Sequence, residues 1–145
     1  MHPVQWTITS ARPGQGGVLG LRVEDAHGSD APWPYFFTGI AAHRYPQAIE
    51  AVTAEVGVGG EATGVTFPGD LDEGDLQERA AIPADEVEVY LHQGGSTQLP
   101  RTTFYAILQA FAERLLEQPG QPLAWYEALR NALSKLQAKQ AIDNR

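Results

Sequence analysis

Seven apolar residues, Phe104, Ile107, Leu108, Phe111, Ala112, Leu115 and Leu116, fall at steps 0, 3, 4, 7, 8, 11 and 12 along the chain. That spacing draws one continuous stripe down a helix of about 3.6 residues per turn, and a stripe so wide has to be covered. The segment "EQPGQP" then stops the helix with two prolines and a glycine, after which Tyr126, Leu129, Leu133 and Leu136 step by 3, 4 and 3. A second helix therefore folds back on the first, and the C-terminal third reads as a helical hairpin. Its closing segment, "QAKQAIDNR", is expected to fray at the end.

The hairpin needs a partner surface, and the residues before it supply strands. "VQWTITSA" alternates Val4, Trp6 and Ile8 with polar residues, a period of two. "RPGQGG" supplies turn residues, and "VLGLRVED" repeats the alternation around Gly20, so a β-hairpin is expected. "WPYFFTGI" is aromatic and β-prone, and any strand there lies at an edge or begins after Pro34. "YPQAIEAVTAEVG" places Ala48, Ile49, Val52 and Val56 at helical spacing, with Pro46 in the first turn and Gly57 as the expected C-terminal cap. "EATGVTFPG" and "VEVYLH" read as two more strands joined by a long acidic connection. The fold class is α+β: a mainly antiparallel sheet, one short helix, and the helical hairpin packed on one face. No internal repeat or low-complexity linker divides the chain, so residues 1–145 are expected to form a single domain.

A chain of 145 residues buries about 70% of its unfolded surface, which is enough for a core without covalent staples. With no cysteine, disulfides, thiolate zinc sites, iron–sulfur ligation and cysteine nucleophiles are excluded. "MHPVQWTITSARPGQGG" has no basic leader followed by an apolar run, and no window has the apolar length of a membrane span. The expectation is a cytoplasmic protein beginning at or near Met1, with no membrane partner.

Charge separates the chain into parts. The formal net charge is −8, yet residues 44–100 hold eleven acids against Arg44 and Arg79, whereas residues 101–145 hold six bases against four acids. An acidic field repels phosphate backbones and attracts basic proteins, so nucleic acid is not an expected partner and a basic protein is.

Two stretches could carry chemistry. "GDLDEGDLQE" gathers Asp70, Asp72, Glu73, Asp75 and Glu78. Calcium takes oxygen ligands at alternating positions, but Gly74 stands where an EF-hand needs its third ligand, and the terminal glutamate is out of place. The segment reads as a solvated acidic loop or a docking surface for a basic partner. The second stretch is "YLHQGGSTQLPRTTF". His92 and Ser96 lack the G-x-S-x-G elbow and orienting acid of a nucleophilic serine. An anion could instead meet the backbone at Gly94 and Gly95, the hydroxyls of Ser96 and Thr97, and Arg101 in the first helical turn, with His92 beside them. The simpler reading is a connector, with glycines for the turn and Pro100 pre-set for the helix start. The four histidines show no metal-ligand spacing, and neither a metal nor a cofactor is expected. Trp33 and Tyr35, like Trp125 and Tyr126, are aromatic pairs suited to filling a core or anchoring an interface.

The small size, the lack of cysteine, the front-loaded strands, the acidic middle and the strand-to-long-helix segment "VEVYLHQGGSTQLPRTTFYAILQAFAERLLE" together resemble bacterial toxin-immunity proteins of polymorphic and contact-dependent systems. The resemblance lies in architecture and charge. It implies a non-enzymatic inhibitor that covers the site of a basic, nuclease-like toxin with an acidic surface. On this reading the partner-binding residues are Asp70, Asp72, Glu73, Asp75, Glu78, Trp33 and Tyr35. The alternatives are a small anion- or ligand-binding domain, as a binder or as an enzyme, using residues 92–101, and an assembly subunit that forms a homodimer through its helical hairpin.

Overall fold

The computed structural model describes residues 5–9, 20–24, 35–60, 62–92 and 94–143. Strands β1 (Gln5–Thr9) and β2 (Gly20–Glu24) pair antiparallel, with Trp6 opposite Val23 and Ile8 opposite Leu21, as the two alternations require. A second antiparallel sheet has the order β3 (Val58–Gly59), β4 (Thr63–Thr66), β5 (Glu86–Leu91), β6 (Gly95–Pro100). Among the described residues there are five α-helices: α1 (Tyr35–Gly39), α2 (Tyr45–Thr53), α3 (Glu73–Glu78), α4 (Arg101–Leu116) and α5 (Leu123–Asp143). The fold is α+β, with the C-terminal helices on one face of the four-stranded sheet. Helix α4 meets the strands directly, and α5 lies on α4 and α2.

The stripe that defines α4 performs as its spacing requires. Phe104, Ile107, Leu108, Phe111 and Ala112 are buried, and Leu129, Leu133 and Leu136 of α5 close over them. Sheet residues Val65, Val87, Val89 and Leu99 form the floor of the same cluster. Phe36 and Phe37 enter it from α1, within 5.3 and 5.4 Å of the Phe104 ring. At about 0.8 kcal/mol per buried methylene, this cluster supplies most of the driving force for folding.

Three expectations are corrected. The aromatic run after Pro34 is a short helix, not a strand, because Phe36 and Phe37 must both reach a core on the same side, which a period of two forbids. Helix α2 ends earlier than Gly57. Glu55 takes the left-handed conformation at φ 57°, and the Val56 amide bonds the Ala51 carbonyl while the Glu55 amide bonds that of Val52, a Schellman closure. Gly57 serves close approach instead, since a Cβ there would meet Asp70 Oδ2 and the Val65 carbonyl at 2.9 Å each. Lastly, "GSTQLP" is a full strand and not a connector, registered against β5 from Leu91↔Gly95 to Glu86↔Pro100. Between the two strands the Gly94 amide bonds the Leu91 carbonyl, and Gly95 follows at φ 75°. Helix α5 runs from Leu123 to Asp143.

Candidate functional site

The acidic segment is ordered by its own carboxylates. Asp72 is the N-cap of α3 and accepts the Asp75 amide at 2.8 Å, while Asp75 accepts the Asp72 amide at 3.0 Å, a reciprocal capping box. Asp70 holds the segment to the sheet: one oxygen accepts the Phe67 amide at 2.7 Å and the other the Gly57 amide at 3.2 Å. Asp70, Asp72, Glu73, Asp75 and Glu78 are all exposed, so the backbone bonds fix the charges of Asp70, Asp72 and Asp75 without removing them from water. Leu76 lies among them, 46% exposed. The expected solvated acidic loop is therefore a short helix that carries Glu73, Asp75 and Glu78, capped by Asp72 and preceded by a 3-10 turn that ends at Asp70.

Arg79, just after this helix, makes a two-pronged bond to Glu88 on β5, at 2.9 and 2.7 Å. Glu88 is only 8% exposed. The Arg79 guanidinium, through hydrogen bonds, holds its carboxyl below the usual range against the opposing effect of burial, with a smaller contribution from Gln98. One of the two bases in the acidic middle is thus already occupied by an acid of the sheet. The pair also pins the end of α3 over the sheet face opposite the helices, since Glu88 neighbours the inward-facing Val87 and Val89.

The proposed anion cradle does not assemble. Ser96 and Thr97 lie near the start of β6 and Arg101 beyond its end, so about 20 Å of strand separates Gly95 from Arg101. The Arg101 guanidinium turns to Glu55 at 2.6 Å and reaches Asp143 at 3.8 Å, with Lys139 3.8 Å from the other Glu55 oxygen. This network ties the end of α2 to the start of α4 and the end of α5. His92 and Gly94 are exposed at the hairpin tip, and the His92 ring stands edge-on to Tyr90 at 5.5 Å. Trp33 lies outside the described residues, and Tyr35 is described only as the first residue of α1.

Trp125 is a core residue whose indole N–H donates to the Ala42 carbonyl at 2.7 Å, and Tyr126 donates to the Gln118 carbonyl across the α4–α5 turn. Between α2 and α5 runs an open groove lined by His43, Gln47, Glu50, Trp125, Asn131 and Lys135, among others, with Lys135 and Glu50 paired at 3.1 Å. The groove was not foreseen, because it arises from two helices distant in sequence. Among the described residues no three of histidine, aspartate and glutamate come together as a metal site. No helix among them is long and apolar enough to cross a membrane. No family model, curated protein or solved structure matches the chain.

Proposed function

We propose that the chain is a protein-binding domain whose working surface is the acidic segment around α3, and that its partner is a basic protein of the toxin-domain kind. The observation that carries this reading is the capping of that segment: five carboxylates are exposed, and three of them, Asp70, Asp72 and Asp75, are held in place by backbone bonds to Gly57, Phe67, Asp72 and Asp75. A pre-ordered charged surface loses little conformational entropy on binding and raises association rates through its field. Leu76 supplies an apolar contact within the acidic ring, the arrangement of a small interface centre with a charged rim. The anion-binding alternative loses its main support with Arg101 committed to Glu55.

The test uses a variant that removes charge but keeps the acceptor oxygens, Asp72→Asn, Glu73→Gln, Asp75→Asn and Glu78→Gln. Wild-type and variant proteins, each immobilised, are exposed to lysate of the source organism at low and high salt. A basic protein retained by the wild type at low salt and lost from the variant, and whose toxicity co-expression of the wild type relieves, is the expected result. Retention by both proteins alike, or relief by the variant as good as by the wild type, would refute the reading.

A further inference from the structure

We infer that the edge of β6 left unpaired among the described residues is the place where this partner docks, by adding an extended basic segment as a further strand to the sheet. The inference rests on the proposed binding function and specifies its geometry. Which backbone groups of β6 point outward follows from bonds just outside the ladder. The Arg101 amide donates to the Asp85 carbonyl at 2.8 Å, and the His92 amide to the Ala62 carbonyl at 2.9 Å. In an antiparallel ladder the bonded pairs alternate, so odd-numbered residues of β5 face β6 and even-numbered ones face β4. In the register of β5 with β6, the odd residues Gly95, Thr97 and Leu99 are bonded to β5, and Ser96, Gln98 and Pro100 face away.

The outward groups are therefore the N–H and C=O of Ser96 and Gln98 and the C=O of Pro100. Both Ser96 and Gln98 are exposed, and no bond to their outward backbone groups is made by any described residue. Pro100 stands at an outward position, where its missing N–H costs the ladder nothing. Edge strands in monomeric proteins are commonly blunted by a charge, a bulge or a covering element. On β6 only Pro100, at its end, acts in this way; residues 95–99 carry no charge and no proline, and the register shows no bulge.

The chemistry of the occupant comes from what flanks this edge. Glu88 is the cross-strand neighbour of Gln98, so the two side chains share the outer sheet face with Tyr90 and Ser96. Arg79 brings the end of the acidic helix onto Glu88, one strand in from the edge, about 5 Å. Basic side chains on the outer face of an added strand would lie beside α3, while its alternate residues would continue the apolar face of Leu99 and Val87. A second copy of this chain fits poorly, because self-pairing would bring together two proteins of formal net charge −8.

The experiment uses the whole protein and a labelled peptide of eight alternating lysine and valine residues, with an analogue N-methylated at every second residue. The analogue keeps the charge and loses strand pairing. The peptide should bind, the analogue about tenfold more weakly or worse, and Ser96→Pro should impose a similar loss, as one blocked edge amide removes a ladder bond. Bound peptide should also slow hydrogen exchange at the Ser96 and Gln98 amides. Circular dichroism confirms that Ser96→Pro folds, and the analogue and exchange arms decide the matter if it does not. Equal affinity of peptide and analogue, or no binding of either, would overturn strand addition while leaving the acidic surface untouched. Undiminished peptide binding by the four-amide variant would instead overturn the role of α3. A wild-type dimer in light scattering that Ser96→Pro converts to monomer would overturn the inference by making the occupant a second copy.

Discussion

Tyr105 and Tyr45 are both buried tyrosines, and they differ in what their hydroxyls meet. The Tyr45 hydroxyl donates to the Phe37 carbonyl. That of Tyr105 is buried without a hydrogen-bond partner among the described residues. Burial pushes its pKa well above the usual value, with the nearby Glu55 adding to the effect. An unsatisfied buried hydroxyl carries its full desolvation cost, so Tyr105→Phe should stabilise the protein by about 1 kcal/mol, and Tyr45→Phe should destabilise it by about as much. Urea unfolding of the two variants checks both signs. Arg79 and Glu88 give a third test. Because the folded Glu88 carboxyl is held below its unfolded value, the pair's contribution is complete above about pH 4.3 and is lost as pH falls through the lowered folded value. Arg79→Ala should cost about 2 kcal/mol near neutral pH, and less of that cost should remain below pH ~4. A pH series of chemical denaturation reads it directly; an undiminished difference in acid would show that the pair is not the source.

Among the secondary-structure elements, the ends carry more information than the middles. Glu55 holds a left-handed backbone that glycine adopts at lower cost, and its side chain joins Arg101 and Lys139. Glu55→Ala keeps the backbone strain and loses the ion pairs, whereas Glu55→Gly relieves the strain, so the alanine variant should be less stable than the glycine variant by about 1 kcal/mol. Thermal unfolding of the two separates these contributions. The cap of α3 gives a second comparison: Asp72→Ala should lower stability by about 1 kcal/mol and speed amide exchange across residues 73–78, and Asp72→Asn should do neither. The helices α2, α4 and α5 and the strands β1, β2, β4 and β5 were legible because their apolar periods persist for several residues. Helix α1 was not, since a run of adjacent aromatics has no period and the choice of helix falls to the core it enters. Strand β6 was hidden by composition: glycine, serine and glutamine belong to turns by propensity, but an edge strand with one solvated face accepts them. Pro100 was legible as the start of the helix; the outward phase that allows a proline at the end of this strand emerged only with the register.

Over the whole molecule, the core is one cluster drawn from α1, α2, the four-stranded sheet, α4 and α5. Truncating its centre with Phe111→Ala should cost about 3 to 5 kcal/mol, a loss that calorimetry would register as a large fall in melting temperature. The charge asymmetry read along the sequence survives folding in a particular form. The acids of residues 70–78 are exposed on a 3-10 turn and the short capped helix that follows it, while Glu50, Glu55 and Asp143 are drawn into contacts with Lys135, Lys139 and Arg101. What could not be seen in the sequence was this division of labour between acids that join helices and acids that face solvent. The charge count alone treats them alike, because it takes the fold to bring Glu55 within reach of bases about 46 and 84 residues away. The central claim is that the solvent-facing set steers a basic partner. The most direct measurement is the association rate of the basic protein captured from the source organism, followed by stopped-flow fluorescence as salt is raised. The wild type should associate at least about tenfold faster at low salt than at high salt, and the four-amide variant should be slow and nearly salt-independent. Equal rates and equal salt slopes for the two proteins would contradict the account.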